Sequence, residues 1–429
     1  FGLAEKSYQT ALKLIKEVSG DTSKFYIDIL DKFAGMYFDY NKFSNAEQIY
    51  SEAYESIKKS GIRNNHSFIL LIINFSLLYK EQEKFQQAIF LLQDALSMIK
   101  SSFGEHHPDY KSTVNDIIEL YIKSGRLNDA EPLVKESMTI STDELNDYFI
   151  FLPENAKLIV LDAILYNSDL YYSFGLIKSN SDKNILSEVL NFRLATKGLV
   201  LSSTSGFHRR MTRSGDISVA QNLKELMQIK IELAEAYTMS ADEKKQKGIS
   251  ITDLTQRAQQ LEISINNLIS PAKNEMEKNE IRWEDIKKSM KTGEAAIEYI
   301  DFYFRKDNYA DSIIAAFIFS SDSEYPEFIQ LCSYTDISKY LSGNTEYIKK
   351  PEYRNDIYNL VFSPLEKYLS GARKIYISPS GLLNKISFVS LETDDGKFLI
   401  DKYNIEYCLN LSEISERNNE QENDKVSKS

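Results

Sequence analysis

Cysteine is almost absent from this chain: Cys332 and Cys408 are the two it has in 429 residues. Two thiols cannot build a disulfide framework, so a reducing, cytoplasmic setting is expected. Glycine (16) and proline (8) are sparse, a bias that suits helix-on-helix packing with short turns. Positive charge is in deficit, with Lys and Arg at 51 against 63 Asp and Glu, a net charge of −12 and a pI near 5.1. That balance argues against nucleic acid or an anionic membrane as the primary partner. No apolar run approaches the roughly 18–20 residues needed to span a bilayer. There is no signal-peptide pattern, and the chain begins at Phe1 rather than Met, so it is expected to be a piece of something longer.

Recognisable site motifs are missing as well. There is no P-loop, no glycine-rich dinucleotide fingerprint, no His-Glu-x-x-His and no Gly-x-Ser-x-Gly elbow. ISPSGLL contains a Ser-x-Gly, but it lacks the first glycine and any His-Asp company nearby, so Ser378 and Ser380 are not read as nucleophiles. Asp394 and Asp395 fall beside Gly396, where Asp-Gly is ordinary turn chemistry. Neither a cofactor nor a metal site is expected. His106 and His107 are adjacent, but no cysteine or carboxylate cluster accompanies them.

What the chain does have is a repeat. AEKSYQTALKLIKE begins at Ala4, AEQIYSEAYESIKK at Ala46, AIFLLQDALSMIKS at Ala88 and AEPLVKESMTIS at Ala130, a spacing of 42 without insertion or deletion. A second small residue follows seven positions later at Ala11, Ala53, Ala95 and Ser137. Tyr37, Tyr79 and Tyr121 keep the same 42-residue phase, as do Phe43, Phe85 and Leu127. The segments between them have helical apolar periodicity and end in a polar corner. Small residues at fixed points let two helices approach closely, and the aromatics fill the remaining space. The pattern predicts a helix-turn-helix solenoid. It resembles tetratricopeptide repeats of the long kinesin-light-chain variety, whose inter-helix loop FGEHHPDY (103–110) matches.

Stacked pairs of this kind form a curved ribbon whose concave wall holds extended or helical peptide. Asn74, Asn115 and Asp116 are the candidate groove contacts, with a solvated helix face as the competing reading. From about 145 to 277 the helical period continues out of phase, as divergent repeats or a connector. Within it lie Arg209, Arg210 and Arg213, next to His208. This basic cluster is a candidate for an acidic partner surface or phosphate; the alternative is the wet face of a helix.

After Trp283, the one tryptophan, the period turns strand-like. GEAAIEYIDFYF (293–304), DSIIAAFIFSSD (311–322) and EFIQLCSY (327–334) read as strands, followed by helical TDISKYLSGN and YRNDIYNLVFSPLEKYLSGA. The apolar runs KIYISP, ISFVSL and KYNIEYCLNL close the segment, and KIYISP is expected as the central strand. Strands in hairpin order, then separated by helices, predict a two- or three-layer α/β domain. Cys332 and Cys408 each fall in an apparent strand, as buried small hydrophobes.

RWEDIKKSMKTGEAAIEYIDF resembles the entry to a CHAT domain, the caspase-like domain that accompanies tetratricopeptide repeats, through Trp283, Ile286, Gly293, Glu294, Ala295 and Phe302. NYADSIIAAF, DIYNLVFSPLEKYL and KIYISPSGLLNKISFVSLET resemble the family's later segments, and KGLVLSSTSGFHRRMTRSGD its usual connector. The resemblance covers about 190–412. It implies a fold of an N-terminal all-α helical-repeat solenoid followed by an incomplete caspase-like α/β domain. The expected division is solenoid 1–144, divergent repeats or connector 145–277, N-terminal part of the CHAT domain 278–414 and polar tail 415–429.

The resemblance further implies a clan-CD cysteine endopeptidase, in which a Cys thiolate attacks a peptide carbonyl and a His manages the proton. In that family the His ends a strand in a His-Gly motif, and the Cys follows a later strand. Both come after the segment matching DKYNIEYCLNL. The four histidines here (66, 106, 107 and 208) are in the helical part, and none precedes glycine. The dyad is therefore expected beyond Ser429, and no catalytic residue is assigned within the chain. Expected partners are a protein or peptide in the repeat groove and a complementary C-terminal protease half. The family setting is bacterial defence or cell death. The alternative is a non-catalytic interaction scaffold.

Overall fold

The computed structural model describes residues 1–105, 107–148, 154–197, 281–305, 312–341 and 351–415, together with parts of 221–261. The polar tail from 416 and the Arg209, Arg210 and Arg213 cluster lie outside the described residues. Two compact units emerge, one built mainly on Phe1–Ile140 and one on the chain from Ser141 onward.

The first unit contains helices α1 (Gly2–Ser19), α2 (Lys24–Asp39), α3 (Phe43–Ser60), α4 (His66–Glu81), α5 (Phe85–Phe103) and α6 (Pro108–Lys123), then α7 (Leu127–Tyr148). The start points of α2, α4 and α6 are 42 residues apart, as are those of α3, α5 and α7, so the sequence period is the structural period. Ala46, Ala53, Ala88, Ala95, Ala130 and Ser137 are fully buried, the close-approach points the repeat predicts. Tyr50 stacks on Phe75 at 5.5 Å in the space they leave. The aligned Ala4 of α1 is exposed.

The polar corner repeats in atomic detail. Asn41 (φ 56°), Glu83 (φ 56°) and Gly125 (φ 72°) each take the left-handed conformation just past a first helix. The following amides, of Lys42, Lys84 and Arg126, donate to the carbonyls of Tyr37, Tyr79 and Tyr121 at 2.9, 2.8 and 2.8 Å. This is the helix-ending turn that satisfies orphan carbonyls. The same cations lie over the same tyrosine rings, at 6.0, 5.3 and 4.8 Å. In the FGEHHPDY loop, Pro108 is the first residue of α6, and the His107 ring accepts from the Asp109 amide at 3.3 Å.

The second unit is a three-layer sandwich. Helices α8 (Glu154–Lys178), α9 (Asn184–Thr196) and α10 (Trp283–Ser289) precede strands β1 (Glu294–Tyr303), β2 (Ser312–Ser320) and β3 (Glu327–Ser333). Then come α11 (Tyr334–Leu341), α12 (Pro351–Val361), β4 (Lys374–Ser378), α13 (Leu399–Lys402) and β5 (Asn404–Tyr407). The sheet order is β3-β2-β1-β4-β5, with β1, β2 and β3 antiparallel and β4 and β5 parallel to β1. KIYISP is thus not the central strand: β1 is, and β4 lies between β1 and β5.

Alternation along the strands assigns the two faces. Ala295, Ile297, Tyr299, Ile314, Ile318, Ile375 and Ile377 share a core with Ile337 and Leu341 of α11 and Ile357 and Val361 of α12. On the other face Phe302 meets Tyr172 of α8 at 5.6 Å, and Phe319 meets Trp283 of α10 at 5.6 Å. Helices α8 and α9, read from sequence as connector, are therefore a layer of this unit. The helix over YRNDIYNLVFSPLEKYL also breaks: α12 stops at Val361 and a 3-10 turn covers Ser363–Tyr368, because Pro364 has no amide to continue the ladder. ISFVSL is not extended; it passes through a 3-10 turn at Phe388–Ser390. Cys332 is in β3, whereas Cys408 follows β5. No helix among the described residues is long and apolar enough to cross a membrane.

Candidate functional site

In the repeat unit, the first helices keep one solvent-facing stripe each. On α4 it runs through Leu70, Asn74 and Leu77, with the leucines 41% and 40% exposed. On α6 the same positions are Ser112, Asp116 and Glu119. The Asn74 amide donates to Asp31 Oδ1 of α2 at 3.0 Å. Asn115 points the other way: it is buried, its Oδ1 accepts from Ser137 Oγ of α7 at 2.6 Å, and its Nδ2 has no partner among the described residues. Asp116 stays on the stripe. Burial pushes its carboxyl up to about 6, with Lys80 pulling down and Glu119 pushing up. Lys80 and Lys123 are both committed to Glu119, at 2.9 and 3.1 Å. Of the three candidate groove residues, Asn74 and Asp116 thus lie on the exposed stripe, and Asn115 lies one residue off it, buried against Ser137.

In the sandwich unit, the polar concentration lies toward the carboxyl end of β4, the side on which parallel sheets carry ligands. Glu298, inside the apolar run 295–300 of β1, is completely buried. Its Oε1 takes Lys197 Nζ at 2.7 Å and Arg193 Nε at 3.1 Å, both from the end of α9. Its Oε2 has no partner among the described residues. Lys197 Nζ also donates to Ser378 Oγ at 2.7 Å and to the carbonyls of Ser378 and Pro379 at 3.2 and 2.9 Å. Arg193 donates to Ser380 Oγ at 3.2 Å, and Ser380 donates to Asp301 Oδ1 at 2.7 Å. Burial lowers the Lys197 ammonium to about 8 against the pull of Glu298. Burial also works against charge on Arg193, but Glu298 and its neighbours offset that and hold the guanidinium above its ordinary value.

A serine hydroxyl 2.7 Å from a lysine with a lowered pKa has the outline of a Ser-Lys nucleophile pair. Access decides against it. Ser378 is 0% exposed and its hydroxyl donates to the Leu409 carbonyl at 3.2 Å. A substrate carbonyl cannot reach Oγ, and Glu298 already neutralises the ammonium. The arrangement is a clasp. Asn410 completes it, donating to the carbonyls of Leu194 and Lys197 at 2.9 and 2.6 Å, so the end of α9 ties down the exits of both β4 and β5. Gly381 belongs to the same turn: its φ is 52°, and a Cβ there would lie 2.8 Å from an Asp301 carboxylate oxygen. A single Glu inside an apolar strand run was the one sequence signal for this cluster.

Past β5 the sheet has no further strand among the described residues. Beside that edge, Val389, Ile400, Asp401, Lys402, Tyr403, Asn404 and Ile405 line an open depression of about 340 Å³. Ile400 and Leu409 are 60% and 69% exposed. Both cysteines are buried, and burial pushes the Cys332 thiol up to about 12.

Residues 71–109 match the family model of the tetratricopeptide repeat, and residues 351–428 match that of the CHAT domain. The chain carries tetratricopeptide repeats followed by a CHAT domain. The CHAT match begins at α12 and takes in β4, the clasped exits and β5. Among solved structures, a kinesin light chain with nearly identical TPR-like repeats from Podosopora anserina is 11% identical with a TM-score of 0.37, covering 47% of this chain and 88% of that one. BtubC (BKLC) from P. vanneervenii is 17% identical with a TM-score of 0.33, covering 45% and 72%. A comparison with curated proteins finds no match. Tetratricopeptide repeats generally mediate protein-protein interaction, and the two matches together suggest a repeat scaffold plus a protease-like domain.

Proposed function

We propose that this chain is the repeat and half-protease region of a CHAT-type cysteine endopeptidase. The solenoid binds a partner or substrate protein and regulates the caspase-like domain, in the bacterial defence setting that the family resemblance implies. The observation that carries the reading is the CHAT match over β4 and β5, where β5 is the edge strand among the described residues and the exposed Ile400 and Leu409 flank it in the chain. A bare, apolar-flanked strand edge is a template for another strand. In this reading a complementary half supplies that strand, together with the His and Cys. Both cysteines of the chain are buried, and burial raises the Cys332 thiol to about 12.

The test is hydrogen exchange at the β5 amides 404–407, comparing this chain with a gene product extended past Ser429. Slower exchange at those amides in the longer product supports a strand laid on β5. Unchanged exchange favours the second reading, a scaffold whose sheet ends at β5.

A further inference from the structure

The inner stripe of the repeat unit carries one group that its surroundings do not account for. Lys32, Asn74 and Asp116 occupy the same position in three successive first helices, 42 residues apart. Lys32 lies 3.6 Å from Asp31, and Asn74 donates to that same Asp31. Asp116 has no hydrogen-bond or ion-pair partner among the described residues. Lys80, the cation that acts on Asp116, is paired with Glu119 instead, as is Lys123. A half-buried carboxylate without a partner costs folding stability, and such a cost is commonly retained where a ligand repays it.

The chemistry around it defines what would fit. Leu70 and Leu77, exposed on α4, flank the position on the neighbouring helix, and the Lys80–Glu119 bridge at 2.9 Å ties α4 to α6. An acidic group brought to this wall would meet the carboxylates of Asp116 and Glu119. A cationic group would find the Asp116 carboxylate, beside apolar surface that takes an aliphatic side chain. Resting on the reading that the repeats bind a partner, we propose that the inner wall of α4 and α6 takes an extended peptide whose Lys or Arg side chain pairs with Asp116 while an adjacent apolar side chain covers Leu70 and Leu77. The pairing is charge-assisted and partly desolvated, which makes it stronger than an open surface ion pair.

The experiment pans a bead-displayed nonapeptide library against the intact chain at pH 7.5, then measures the enriched peptides by fluorescence polarisation. Enrichment of Arg or Lys next to Leu or Ile is expected. The Asp116→Asn chain should bind the best peptide about tenfold more weakly and lose the basic preference. A Leu70→Ser, Leu77→Ser chain should weaken it as well. Peptides enriched without a basic residue, or binding unchanged in Asp116→Asn, overturn the proposal while leaving partner binding intact. A library with no enriched peptide overturns both. Sedimentation of the chain alone closes the remaining route: a dimer dissociated by Asp116→Lys would make a second copy, not a peptide, the occupant.

Discussion

Lys197 Nζ sits 2.7 Å from Glu298 Oε1, and with its other bonds it holds the residues at the exit of β4, Ser378 and Pro379. One buried ion pair thus joins the end of a helix to the turn that leaves a core strand. Removing one partner of such a pair strands a charge. Glu298→Ala should lower the stability of the sandwich unit by about 3–5 kcal/mol, measured by urea unfolding with a probe in that unit. A loss under about 1 kcal/mol would mean that the cations find water instead.

Glycine is required at 381, for both its φ of 52° and the proximity of Asp301. Gly381→Ala should destabilise by about 1–3 kcal/mol. Adding Asp301→Ala should restore part of that, because the close contact is removed although the backbone strain stays. A thermal-melt double-mutant cycle reads the coupling. Simple additivity would place the whole cost in the backbone.

At the repeat corners the three left-handed residues differ in kind. Gly125 is at ease there, whereas Glu83 carries a Cβ at φ 56°. Glu83→Gly should stabilise the repeat unit by about 0.5–1 kcal/mol, and Gly125→Ala should destabilise it by a similar amount. Chemical denaturation of the two variants checks both signs.

Asp116 makes stability depend on pH. Its folded pKa, about 6, lies above the ordinary 3.8. Between those values the folded chain holds a proton that the unfolded chain has lost, so this group's contribution falls as pH rises from about 4 to 6 and stays lost above 6. Asp116→Asn should therefore stabilise the repeat unit at pH 7 by about 1–3 kcal/mol and by little at pH 4. Equal effects at both pH values would contradict the assignment.

Much of this fold was legible in the residues, and for one reason. Ala46, Ala88 and Ala130 mark a period that local helix packing enforces, so sequence spacing and structure coincide. The strands at 294–303, 312–320 and 327–333 were legible because buried strands read as apolar runs. What escaped was long-range. Strand order depends on pairings between distant segments, so β4 looked central although β1 is. Arg193 and Lys197 resemble ordinary helix-surface cations until the fold sets Glu298 against them. Asn115 and Asp116 are neighbours in sequence, but a helix turns them to different surroundings, one against Ser137 and one onto the exposed stripe.

The most direct test of the central claim is labelling of the gene product extended past Ser429 with a peptidyl acyloxymethyl ketone, which captures thiolate nucleophiles, followed by peptide mapping. The account predicts a single labelled cysteine outside residues 1–429, with Cys332 and Cys408 unmodified. Labelling confined to Cys332 or Cys408, or none in a product that is folded and partner-bound, would contradict it.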